Sequence, residues 1–91
     1  MKLSEALFNW LQIRLVANAR PEDGAAQETV AFFEEMLKNE HAVEELAIAE
    51  TDATMVHVRY RQNGNGKRQL FQRERAGELL SSIEDDARFG A

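Results

Sequence analysis

Between Leu3 and Ala19 the apolar residues Leu3, Ala6, Leu7, Trp10, Leu11, Ile13, Leu15 and Ala17 recur with helical spacing, and Lys2, Glu5, Asn9 and Gln12 share one narrow polar stripe. The apolar arc spans about 220° of the helical wheel, against the ~100° that covers a single core face. Such a helix is expected to be buried on two sides. Ser4 stands where a hydroxyl can cap its start, and Pro21 predicts a stop near Ala19 or Arg20, because proline disfavours helical geometry in the residue before it.

Asp23, with Glu22 beside it, is placed to cap a second helix running to about Asn39. Its apolar positions Ala26, Val30, Phe33 and Leu37 lie at i, i+4, i+7 and i+11, flanked by Phe32 and Met36, while Gln27, Glu34, Glu35 and Lys38 face outward. Asn39 suits a left-handed exit.

From Val43 the period changes to two. Leu46 and Ile48 alternate with Glu45, Ala47 and Ala49, and Val56, Val58 and Tyr60 alternate with Met55, His57, Arg59 and Arg61, which predicts two strands joined through Thr51 and Asp52. Asn63-Gly64-Asn65-Gly66 is a strong hairpin turn signal, since asparagine and glycine tolerate positive φ. A third strand then spans Lys67 to Gln72. Ala76, Leu79, Leu80 and Ile83 form one stripe of a last helix ending near Asp86. Keeping the apolar residues on one face pairs Ile48 with Val56, Leu46 with Val58 and Glu45 with Arg59, and sets Phe71 across from Val58. His57, Arg59, Arg61, Arg68 and Gln72 then share the opposite face, and Leu70 breaks the alternation. The expected fold is α+β: two N-terminal helices, a three-stranded antiparallel meander and a C-terminal helix, in a single domain over 1–91 with 87–91 as a frayed tail.

A chain of 91 residues buries only about 60 to 65% of its unfolded surface, so a partner surface is a natural source of added stability. The absence of cysteine removes disulfides, thiolate nucleophiles and cysteine-based zinc sites, and suggests a reducing compartment. The polar residues Glu5, Asn9, Gln12, Arg14 and Asn18 interrupt the N-terminal stretch, which argues against a signal peptide, and no apolar run is long enough for a spanning helix. A cytoplasmic, membrane-free location is therefore expected.

Charge changes the picture most. The chain carries a formal net charge of −5, yet Arg59 to Arg75 holds six basic residues (Arg59, Arg61, Lys67, Arg68, Arg73 and Arg75) against Glu74 alone. Glu22 to Asp52 holds ten acidic residues against Lys38 alone. A basic hairpin of this kind can bind phosphates, or it can guard a strand edge and pair with the chain's own acidic helix or that of a second copy. The order helix, three antiparallel strands, helix from Ala25 to Glu84 resembles that of double-stranded RNA-binding domains. Arg73 and Arg75 fall near the start of the last helix, where that family places phosphate-contacting lysines. The resemblance implies duplex RNA as a ligand, while Glu74 and Glu78 depart from the family's lysine-rich helix start.

Candidate chemistry is sparse. His41 stands beside Glu40, Glu44 and Glu45 without the second histidine of a helical zinc box, and His57 lies among arginines on an outward strand face. Ser4, Ser81 and Ser82 occupy no nucleophile motif, and the pairs Glu34-Glu35, Glu44-Glu45 and Asp85-Asp86 are adjacent, so their side chains diverge. Asn63 to Gly66 lacks the lysine and hydroxyl residue of a phosphate loop. Arg14 projects into the apolar arc of the first helix, where it stacks on Trp10, pairs with a carboxylate, or extends its head to water. These features lead to the expectation of a non-catalytic module without cofactor or metal that self-associates, as a dimer, or binds another protein through Leu3, Leu7, Trp10, Leu11 and Arg14. The second expectation is nucleic-acid binding through Arg59, Arg61, Lys67, Arg68, Arg73 and Arg75.

Overall fold

The computed structural model describes residues 1–90, with side chains described through Asp85; the side chains of the tail expected to fray, 87–91, lie outside the described residues. The fold is the expected α+β arrangement, with α1 (Leu3–Ala19) and α2 (Gly24–His41) preceding β1 (Val43–Thr51), β2 (Met55–Gln62) and β3 (Asn65–Gln72). The strands form one antiparallel sheet in the order β1-β2-β3. The chain closes through α3 (Arg73–Ala76) and α4 (Glu78–Gly90), two helices where the sequence pattern predicted one. The break falls at Gly77, and the short α3 turn seats Ala76 completely inside the core.

Helix α1 is buried on several sides by its own chain. Ala6, Leu7, Trp10, Leu11, Val16 and Ala17 are all buried, with Leu3, Phe8, Ile13 and Leu15 packed around them. Trp10 donates its indole N–H to Glu34 Oε2 of α2 at 3.2 Å, and Phe8 meets Phe71 of β3 with ring centroids 5.6 Å apart. Ser4 does not cap the helix. Lys2 occupies the cap position without a side-chain bond, and Ser4 Oγ instead accepts from Gln69 Nε2 of β3 at 3.1 Å. The helix stops where Pro21 dictates, with Arg20 N–H bonded to Val16 O.

Asp23 caps α2 as expected, accepting from the Ala26 N–H at 3.0 Å. The helix continues two residues past Asn39, and its left-handed exit is Ala42 (φ 55), whose N–H bonds back to Leu37 and Lys38 carbonyls. This exit lets Val43 enter the core as the first residue of β1.

The β2–β3 turn is a two-residue loop with positive φ at both Asn63 (52°) and Gly64 (81°), the geometry of a type I′ turn whose twist matches a hairpin. It sets Val56 opposite Phe71 and Val58 opposite Gln69, so Phe71 lies two residues away from its expected partner but on the expected face. The β1–β2 register departs from the expectation: Ile48 pairs with Val58 and Ala47 with Arg59, a shift of two residues, and Thr51 pairs with Val56, a shift of three. Two irregularities in β1 produce the shift, one between Glu44 and Ala47 with Glu45 at φ 52, the other between Ile48 and Glu50. The turn itself is tight because Asp52 Oδ1 accepts from the N–H groups of Thr54 (2.9 Å) and Met55 (2.8 Å).

The result is two layers. Val56, Val58 and Tyr60 point into the helical layer and are buried, whereas Arg59, Arg61, Arg68 and Gln72 on the far face of the sheet are exposed. Among the described residues no helix is long and apolar enough to cross a membrane.

Candidate interaction surface

Strand alternation decides where the basic residues go. On β2 the odd-numbered positions His57, Arg59 and Arg61 face away from the helices, and their β3 partners Leu70, Arg68 and Gly66 share that face. Arg59 and Arg68 are therefore direct cross-strand neighbours. Counting back from the closing pair Gln62–Asn65, theirs is a non-hydrogen-bonded pair, in which side chains stand closest, with Cα atoms ~4.5 Å apart. Like charges placed this way repel. The β1 neighbour of Arg59 is Ala47, and the Arg59 side chain makes no ion pair or hydrogen bond among the described residues.

The cations at the two ends of this face are partly compensated. Arg61 ion-pairs with Glu45 at 3.6 Å and donates to Gly64 O at 2.8 Å. The outward turn of the β1 irregularity is what brings Glu45 there. At the other end, His57 Nε2 lies 3.0 Å from Asp52 Oδ2 and its Nδ1 lies 3.4 Å from Arg68 Nη1. Arginine only donates, so Nδ1 is the acceptor and Nε2 donates to Asp52. The bond from His57, followed by those from the Thr54 and Met55 N–H groups, lowers the Asp52 carboxyl from its ordinary 3.8 to about 2.

Beside this face, a groove of about 410 Å³ runs between β3, α1 and α3, lined by Ser4, Glu5, Phe8, Gln69, Phe71 and Arg75 among others. The Phe8 and Phe71 rings meet within it at a 41° tilt, and the Arg75 guanidinium lies 5.8 Å from the Phe8 ring centroid. Leu70, which breaks the sequence alternation, stands at its rim with 46% of its surface exposed.

The structure separates the six basic residues that the sequence grouped. Arg59, Arg61 and Arg68 share the open face. Lys67 lies on the helical side of β3 and bonds Gln62 Oε1, Arg73 reaches back to Asp52 O, and Arg75 covers Phe8. The α1 set divides differently. Leu7 and Leu11 are fully buried and Trp10 is 1% exposed, so they belong to the core of the single chain. The wide apolar arc of α1 is covered within the chain by α2, by β3 through Phe71, and by the C-terminal helices. Leu3 and Arg14 remain half-buried. Arg14 borders a shallow hollow with Trp10, Asn18, Leu46, Ala47 and Ile48, and makes no ion pair or ring stack among the described residues. Among the described residues no ion pair joins the basic hairpin to the acidic α2 of its own chain.

His41 Nε2 approaches the Met1 carbonyl oxygen at 3.0 Å and ties α2 to the N-terminus. Among the described residues no three histidine, aspartate or glutamate side chains are grouped to hold a metal ion. Sequence reasoning missed Phe8, Phe71 and Arg75 as groove residues; the signal available was Leu70, an apolar residue on a polar face. No family model, curated protein or solved structure matches the chain.

Proposed function

We propose that this chain is a non-catalytic interaction module whose working surface is the uncovered face of its sheet, and that its partner is an acidic segment of another protein. The observation that carries the reading is the Arg59–Arg68 opposition on a face that, among the described residues, no helix covers. Two long cations side by side without a carboxylate cost stability, and a partner that supplies the carboxylate recovers it. Exposed Leu70 beside them adds an apolar contact of the kind common in protein interfaces. The burial of Leu7, Trp10 and Leu11 in the core favours the open sheet face over α1 as the working surface.

The test is titration of the chain with an acidic peptide and with a basic peptide of equal length, followed by fluorescence anisotropy. Binding of the acidic peptide alone, weakened by Arg59→Glu, supports the reading; equal binding of both peptides, or of neither, refutes it. Nucleic-acid binding is the second reading, favoured by Arg59, Arg61 and Arg68 sharing one open face. Three phosphate contacts would give a log–log salt slope of about −2.7 on a duplex.

A further inference from the structure

We propose that the free edge of β3 is a strand-addition site, in which an extended acidic segment pairs with β3 while its apolar residues enter the Phe8–Phe71 groove. The inference rests on the protein-binding reading of the sheet face and adds the geometry by which the partner is held.

Among the described residues β3 pairs only with β2. From the closing pair Gln62–Asn65, residues 65, 67, 69 and 71 direct their backbone groups toward β2. Gly66, Arg68 and Leu70 therefore turn their N–H and C=O groups to the open edge. The two edges of the sheet differ in protection. Strand β1 carries two irregularities that disrupt any regular ladder, whereas the β2–β3 pairing is unbroken from Met55–Gln72 to Gln62–Asn65, leaving β3 an uninterrupted template.

Side-chain chemistry on the two faces of that template specifies the occupant. A strand added at β3 sits ~4.8 Å beyond it and sends alternate residues to opposite faces. Those directed inward meet the tilted Phe8 and Phe71 rings and the rim formed by Arg75, which favours apolar side chains. Those directed outward stand next to Arg68 and Leu70, where a carboxylate neutralises the Arg59–Arg68 pair. The partner is thus an alternating apolar and acidic segment in extended form. Its recognition combines main-chain bonding with side-chain pockets on alternate residues, as in known strand-addition complexes. Glu5, an exposed residue of the groove lining, disfavours acidic residues on the inward side and so fixes which way the segment faces.

The probe is a synthetic peptide of about nine residues alternating valine and glutamate, titrated into the full chain while amide hydrogen exchange is followed by NMR. Saturable binding that slows exchange of the Arg68 and Leu70 amides supports the proposal. Leu70→Pro removes an edge donor without touching the β2–β3 ladder, and about tenfold weaker binding is expected, with the fold checked by circular dichroism. Should that variant fail to fold, N-methylation of alternate peptide amides makes the same test on the unaltered protein: one methylated set weakens binding about tenfold and the other does not. Binding that ignores both methylated sets and leaves the edge amides unprotected overturns strand addition while leaving the basic face as a protein-binding surface. Failure of the peptide to bind while duplex RNA binds with steep salt dependence overturns strand addition together with the reading beneath it. Protection of the Arg68 and Leu70 amides by dimerisation without peptide overturns the assignment to another protein.

Discussion

Replacing Arg68 by glutamate should make the isolated protein more stable while weakening its hold on an acidic partner. Arg68 faces Arg59 directly, and its diagonal neighbours on β2 are His57 and Arg61, so no acidic strand residue lies beside it. Two guanidinium groups ~6 Å apart in water repel by about 0.7 kcal/mol, and an attractive pair at the same distance gains about as much. Against this stands the loss of the exposed 3.4 Å contact between Arg68 and His57, a long and weak bond. The net gain should be about 1 kcal/mol at low salt, which raises the midpoint of thermal unfolding by about 4–8 °C in a domain this small. Urea denaturation of both proteins at low salt and in ~1 M salt, where screening acts within ~3 Å, separates charge from packing. Arg68→Gln should recover about half of the gain. A variant less stable than the parent at low salt, or a gain that survives high salt, refutes the claim that the opposed arginines are a cost borne for binding.

Other consequences of the structure are open to measurement. Leu11→Ala should cost about 2–5 kcal/mol in chemical denaturation, because Leu11 is a fully enclosed core residue rather than a contact for a second copy. Gly64→Ala forces a Cβ into φ +81° at the hairpin tip and should destabilise by about 1–2 kcal/mol, although the space around the atom is open. The Asp52 carboxyl is lowered to about 2 by His57 and by the Thr54 and Met55 N–H groups of its turn. A depressed carboxylate contributes stability that is present above its unfolded value of about 3.8 and is lost as pH falls through about 2. The stability difference between the parent and Asp52→Asn should therefore be constant above about pH 5 and shrink toward pH 2 in acid denaturation.

Features set by a few adjacent residues were legible in the sequence. Pro21, Asp23 and the Asn63-Gly64 pair act through φ restriction, a single cap bond and positive φ, so their effects do not depend on the rest of the fold. The β1–β2 register was not legible, because its irregularities fall at Glu45 and Ala49, where neither glycine nor proline marks them. The wide apolar arc of α1 correctly foretold burial on several sides. It could not say what covers the helix, since hydrophobic periodicity is the same against one's own sheet as against a second chain. The basic segment misled for a related reason: neighbours along a strand point to opposite faces, so Lys67 and Arg68 part company although they are adjacent in sequence. Leu70 carried the one clue to the groove, and it was the residue that refused the pattern.

The most direct measurement is an NMR titration of the labelled chain with the valine–glutamate peptide, mapping which backbone amides move. Perturbations confined to His57–Arg61, Gly66–Gln72 and the adjoining face of α1 are the predicted result. Movement centred on α2, or no movement at millimolar peptide, would contradict the assignment of the open sheet face as the binding surface.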